Sequence, residues 1–232
     1  DPWADKDENT GITTGLSGKA YNALQKYVLD HSRLGIPVMM SSECPHGHQA
    51  LGGGLLPVNL AAGATFDPEA LKEGYEACGR QLKSGHVELA LMSALDVLRD
   101  PRWGRSEECY SEDPYLSSQS EGVSCVAKHF CGQGETTGGV NASAARIGEQ
   151  ELREIHFPAM QACCDAGVDG VMAAYNEIDG VYCHGNPWLL RDVLREEMGF
   201  QGIVMADGLA VDFLKNTEGD TLHAGATALK AG

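Results

Sequence analysis

Short apolar runs separated by stretches of helical periodicity constrain this chain more than any other feature of its sequence. The runs fall at residues 36–40, 87–92, 123–127, 168–173 and 203–206. Each is too short for a buried helix and reads as a strand with both faces covered. The segments between them carry helix signals. Leu24, Val28 and His31 fall on one face of a helix that Ser17 would cap. Asp67-Pro68 is an N-cap with proline at the first helical position, followed by Leu71, Tyr75, Cys78 and Leu82 at helical spacing. Leu152, Ile155, Ala159 and Cys163 mark another helix, restarted at Pro158 because proline removes a donor. Asn186-Pro187 repeats the cap-plus-proline device ahead of Leu190, Val193, Leu194 and Met198, and Gly199 stops that helix. A last helix runs through residues 222–229, and residues 56–64 are read as a sixth strand.

Helices alternating with apolar strands give an α/β chain with a parallel sheet, either doubly wound and open or closed as a (β/α)8 TIM-type barrel. The sequence contains no G-x-G-x-x-G and no G-x-x-x-x-G-K-[ST], so the nucleotide-binding open sheets lose their main support. The strand ends favour the barrel. They read Ser42-Glu43, Asp96, Lys128-His129, Tyr175-Asn176 and Asp207, and in a barrel such residues converge on one mouth. Only five strands and the weaker sixth are visible, so the barrel as read is incomplete.

Charge and cysteine usage narrow the partners. With 17 Lys plus Arg against 33 Asp plus Glu, the net charge is −16, which argues against nucleic acid and anionic membrane as partners. No apolar stretch approaches the ~18 residues of a membrane span. The eight cysteines form no C-x-x-C and no zinc-finger spacing, and read as reduced, mostly buried thiols. Together with the lack of a basic-then-apolar leader, this sets the expectation of a cytoplasmic protein. Trp103 and Trp188 read as packing rather than sugar-stacking residues, His46 and His48 as loop hydrogen-bonders rather than metal ligands, and Arg102 as structural.

Residues 93–105, S-A-L-D-V-L-R-D-P-R-W-G-R, run on into S-E-E-C-Y-S-E-D-P-Y-L. With R-L-G-I-P-V-M-M-S-S-E-C-P-H-G-H, L-A-A-G-A-T-F-D-P-E, A-K-H-F, M-A-A-Y-N-E-I-D-G and G-F-Q-G-I-V-M-A-D-G-L-A-V, they make an ordered set of blocks covering most of residues 20–232. This set resembles the N-terminal barrel domain of family 3 glycoside hydrolases, which includes many β-glucosidases and β-xylosidases. The resemblance implies one barrel domain over residues 1–232. It implies retaining, exo-acting removal of a terminal β-D-glucosyl or xylosyl unit through a covalent glycosyl-Asp intermediate, with no metal or organic cofactor. Its substrates would be β-linked oligosaccharides or aryl glycosides. By the same resemblance Asp207 is the nucleophile, while Glu43, Arg105, Lys128, His129 and Tyr175 bind the terminal sugar. Lys128 is expected among the cations that keep Asp207 ionised.

The chain departs from the family pattern in three places. The connection from Asp113 to Lys128 is short, and the chain stops at Gly232 where relatives continue into a second α/β domain. In many members that domain supplies the general acid/base Glu. The stretch after K-H-F, C-G-Q-G-E-T-T-G-G-V-N-A-S, lacks the Asp-His element of another branch. Glu135 and Glu177 lie in loops suited to an acid/base, with no spacing that selects either. Two rival readings are a non-catalytic sugar-binding barrel and a Schiff-base aldolase using Lys128.

Overall fold

The structure, a computed structural model, describes Asp7 and residues 9–111 and 125–232. In chain order the main elements are α1 (Thr14–His31), β1 (Ser41–Glu43), α2 (Asn59–Gly63), α3 (Pro68–Ser84), β2 (Leu89–Ala94) and β3 (Cys125–Phe130). There follow α4 (Phe157–Asp165), β4 (Gly170–Ala173), the hairpin β5 (Glu177–Ile178) with β6 (Val181–Tyr182), the π-helical segment α5 (Trp188–Glu197), β7 (Ile203–Ala206) and α6 (Thr221–Ala231).

The α/β class expected from the sequence is present. The main sheet has five strands in the order β1-β2-β3-β4-β7, every neighbouring pair parallel. That order follows the chain and never reverses. A doubly wound sheet reverses at a switch point, whereas a barrel wall winds one way, so the described strands form an arc with barrel winding. Side chains alternate accordingly. Ala90 and Met92 pack outward with Tyr75, Cys78 and Leu82 of α3. Ala127, Val171 and Ala173 pack outward with Met160 of α4 and Leu190, Val193 and Leu194 of α5. Leu91, Val126 and Met172 form a separate small cluster on the inner face.

The helix signals act largely as read. Asp67 accepts the Ala70 N–H at 3.0 Å as N-cap of α3, and Asn186 accepts the Leu189 N–H at 3.2 Å ahead of α5. Gly199, at φ 72°, ends the helical segment. The restart at Pro158 is visible as a π turn over Leu152–His156 leading into α4.

Four local readings are corrected. Residues 56–64 form no strand; they hold the one-turn helix α2, whose Asn59 is buried and donates to the Glu108 carbonyl at 2.7 Å. The first strand starts at Ser41, because Pro37 offers no N–H and Val38 after it is satisfied by a side chain instead. Gln25 of α1 accepts the Val38 N–H at 3.1 Å and donates to the Val38 carbonyl, standing in for a neighbouring strand. This also explains why α1 buries Ser17 and Gln25 rather than the Leu24, Val28 and His31 face. Finally, Thr13 and not Ser17 is the N-cap; Ser17 lies inside the helix and donates to the Thr14 carbonyl.

The first two residues of the expected strand 123–127, and most of the connection from Asp113 to Lys128, lie outside the described residues. Several large apolar side chains are exposed: Ile36 and Met39 before β1, Ile203 on β7, and Leu222 and Leu229 on α6. No described helix is long and apolar enough to cross a membrane. Cys44, Cys78, Cys109, Cys131, Cys164 and Cys183 are free thiols.

Candidate active site

The five strand ends bring the sequence-derived residues together. Glu43 ends β1, Lys128 and His129 lie in β3, Tyr175 follows β4 by two residues, and Asp207 directly follows β7. Arg105 comes from the loop after β2. Its Nη1 is 3.5 Å from Asp207 Oδ2, and His129 Nε2 is 3.3 Å from the same oxygen. The other oxygen of Asp207 accepts the Gly208 N–H at 2.7 Å, and the Tyr175 hydroxyl donates to the Gly208 carbonyl at 2.7 Å. Lys128, only 5% exposed at its side chain, pairs with Glu43 at 3.2 Å. The cation at Asp207 is therefore Arg105, whereas Lys128 was expected to help there; its ammonium is drawn to the nearer Glu43 carboxylate.

Charge ties these groups into one unit. Burial pushes the Tyr175 hydroxyl above its ordinary pKa, and the charge of Asp207 pushes further in that direction. Burial works against the charged form of Arg105, but the Glu108 hydrogen bonds and the charges of Glu108, Asp96 and Asp207 outweigh it and raise its pKa. Glu108 shows the converse. Burial alone would raise its pKa, and the hydrogen bonds and charge of Arg105 hold it below the usual carboxylate range.

Four supporting residues were not among the candidate site residues. Glu108, read from the sequence only as part of an ion-pair cluster with Arg102, Arg105 and Glu107, accepts two hydrogen bonds from Arg105, Nε at 2.7 Å and Nη2 at 2.8 Å. Asp96 was visible only as a polar strand end, and it accepts from His129 Nδ1 at 2.7 Å. Gln133 and Asn141 join the loops around the mouth. The buried Gln133 accepts the Tyr175 N–H at 3.3 Å and donates to Asn141 Oδ1 at 2.9 Å, which also accepts from Trp103 Nε1 at 3.1 Å. Nothing in the spacing of those residues announces the network.

The remaining candidates lie elsewhere. Trp103 is fully buried and packs with Leu98 and Cys109, away from any stacking role. Trp188 lines a cleft of about 780 Å³ with Arg146, Glu177 and Asp179. Glu135 is drawn to His156 at 2.8 Å and to Arg99 at 3.8 Å. Neither Glu135 nor Glu177 contacts Asp207 among the described residues. Arg102 pairs with Asp100 at the surface. His46 contacts Gln49 at 3.2 Å, and among the described residues no cluster of three or more His, Cys, Asp or Glu has the arrangement of a metal site.

Known proteins resemble this chain over most of its length. A family model described as the glycosyl hydrolase family 3 N terminal domain matches residues 11–232. A β-glucosidase of Rhizobium radiobacter is 38% identical over 83% of this chain, which covers 25% of that protein. A putative β-xylosidase of Formosa agariphila is 33% identical over 82% of the chain, covering 28% of it. Among solved structures, a β-glucosidase from Erythrobacter marinus superposes with a TM-score of 0.90 at 32% identity, over 95% of this chain and 32% of that one. The chain thus spans between a quarter and a third of these relatives. From the match along its length and the winding of its sheet, the chain belongs to glycosyl hydrolase family 3 and corresponds to the N-terminal domain of that family.

Proposed function

We propose that residues 1–232 make up the nucleophile-bearing barrel domain of a retaining, exo-acting β-glycoside hydrolase. Its substrates are β-linked oligosaccharides or aryl glycosides ending in a glucosyl or xylosyl unit. The observation that carries this reading is Asp207: a carboxylate directly after a strand, with Arg105 and His129 on one oxygen and a backbone N–H on the other. Arg105 on one oxygen and the Gly208 N–H on the other hold this carboxylate in place for attack on an anomeric carbon. Lys128, Glu43, Arg105 and His129 offer donors and acceptors for ring hydroxyls, several of them charge-assisted. Contacts that tighten as the ring flattens toward an oxocarbenium ion lower the barrier.

Retention also requires a second carboxyl ~5–5.5 Å from the first to protonate the leaving oxygen. Glu135 is held by His156 and Arg99, and Glu177 lines a different cleft, so neither serves. The acid/base then comes from a further domain, in keeping with relatives three to four times the length of this chain. The Schiff-base reading is disfavoured because Lys128 is engaged as a cation by Glu43.

The test is intact mass after incubation with a 2-deoxy-2-fluoro-β-glucoside, and the matching xyloside, carrying a dinitrophenolate leaving group. That group departs without a proton donor. A single fluoroglycosyl adduct on the Asp207 peptide, absent in Asp207→Asn, is the expected result. A folded chain that takes no label from either sugar would favour the sugar-binding reading instead.

A further inference from the structure

The imidazole of His129 stands between two carboxylates, and its two contacts differ in kind. On the Nδ1 side, Asp96 Oδ2 accepts from the ring at 2.7 Å and also from the His129 backbone N–H at 3.2 Å. On the Nε2 side, Asp207 Oδ2 lies at 3.3 Å, yet both atoms are buried without a hydrogen-bond partner among the described residues. An ionised carboxylate only accepts, so the ring proton that Asp96 holds is on Nδ1. An unprotonated Nε2 facing a second acceptor then forms no bond, which is the geometry observed.

Asp96 is a costly residue for a merely structural role. Its side chain is wholly buried, and its Oδ1 has no partner among the described residues. A carboxylate inside a protein is normally retained only with its oxygens well satisfied. Here both of its hydrogen bonds converge on His129. The loop after β3 seals the pair: a Cβ on Gly134 would lie 3.5 Å from that of Asp96 and 2.5 Å from the Val97 carbonyl. Burial opposes the charge on Asp96, while the His129 ring, its hydrogen bond and Arg105 outweigh burial and keep its pKa low.

We infer that Asp96 is a positioning residue that fixes His129 in the tautomer with its proton on Nδ1, so that Nε2 faces the mouth beside Asp207 as an acceptor for a substrate hydroxyl. The inference rests on the glycosidase reading only for the identity of that hydroxyl. A sugar hydroxyl donated to Nε2 would satisfy a buried acceptor and orient the ring against Asp207. His129 would then read a hydroxyl by its hydrogen, which a point cation such as Lys128 does not do.

The experiment combines a spectroscopic readout with a chemical one. Long-range proton–nitrogen correlation on 15N-histidine-labelled chain, with His129 assigned by its loss in His129→Gln, reads the tautomer. The wild type is expected to give a protonated-type Nδ1 and a bare Nε2. The reverse pattern, or two protonated nitrogens, overturns the inference. In Asp96→Ala the tautomers should mix, and labelling of Asp207 by the fluoroglycoside should slow 10- to 100-fold. A folded Asp96→Ala chain with an unchanged signature also overturns it. Asp96→Asn keeps the acceptor and covers the case in which the alanine variant does not fold. It should retain the signature and label within about tenfold of wild type; a retained signature with labelling more than 100-fold slower would show that charge rather than positioning matters, and overturn the assignment. A wild-type chain with the expected signature but no label supports the tautomer assignment and removes the glycosidase reading alone.

Discussion

Glu108 takes two of the three guanidinium nitrogens of Arg105, and so decides where the third one points. That third nitrogen, Nη1, faces Asp207 at 3.5 Å. The guanidinium is a rigid planar fork, so fixing one edge fixes the other. Glu108→Gln breaks the charge-assisted pairing and lets the fork rotate. Labelling of Asp207 by the fluoroglycoside should slow by about tenfold, the usual scale for losing a partner behind a site residue. Time-resolved intact mass reads it, and an unchanged rate would mean that Arg105 is held by something other than Glu108.

Lys128 and Glu43 should respond unequally to neutralisation. The Lys128 side chain is almost fully buried, whereas that of Glu43 is about one-third exposed at 35%. Removing the cation in Lys128→Met leaves a carboxylate that water can reach, so stability should change by less than about 1 kcal/mol. Removing the anion in Glu43→Gln strands a buried ammonium and should cost about 3 kcal/mol. Urea denaturation of both variants checks the asymmetry. Equal losses would contradict the burial difference.

Acid should destabilise the fold through Asp96 and Glu108. For both, burial opposes ionisation, but it is outweighed: by the His129 ring and Arg105 at Asp96, and by Arg105 at Glu108. Their folded pKa values therefore lie below the unfolded ones. The stabilisation is fully present above the unfolded carboxylate range, about pH 4, and is lost as pH falls through the depressed folded values. Urea midpoints measured from pH 7 to pH 3 should be level at first and then fall, more shallowly in Glu108→Gln. A midpoint that rises on acidification would refute this sign.

Gly139 is where the loop after β3 meets the loop that carries Arg105. Its φ is 69°, and a Cβ there would lie 2.6 Å from the Arg102 carbonyl carbon and 2.7 Å from the Trp103 nitrogen. Gly139→Ala combines left-handed strain with a backbone clash and should destabilise by about 2–3 kcal/mol. The same change should slow labelling, because the displaced loop also carries Asn141 and Gln133. Chemical denaturation together with the labelling rate checks both effects.

The sequence made the parallel winding and the site legible for one reason. Apolar runs such as 203–206 end in a chemically conspicuous residue, here Asp207, and barrel topology turns position along the chain into position around a mouth. Boundaries were less legible where a side chain replaces backbone pairing. Gln25 satisfies Val38 from thirteen residues away, so an apolar run that looks like strand remains outside the ladder. Residues 56–64 misled for a related reason. Their apolar content serves the packing of α2 under the Glu108 turn, and a five-residue helix leaves too short a pattern to tell from a strand. Asn141 and Gln133 escaped notice because their partners, Trp103 and Tyr175, are 38 and 42 residues away.

The exposed apolar side chains at the sheet margins have a bearing on how this chain behaves in solution. Among the described residues β1 and β7 each have a strand neighbour on one side only, and Ile36, Met39 and Ile203 are exposed on or just before those two strands. Backbone groups left unpaired along a greasy border are a template for another chain. Taken by itself at high concentration, this polypeptide should self-associate edge to edge. Its large negative charge opposes that at low ionic strength and, because such repulsion is screened, far less in concentrated salt.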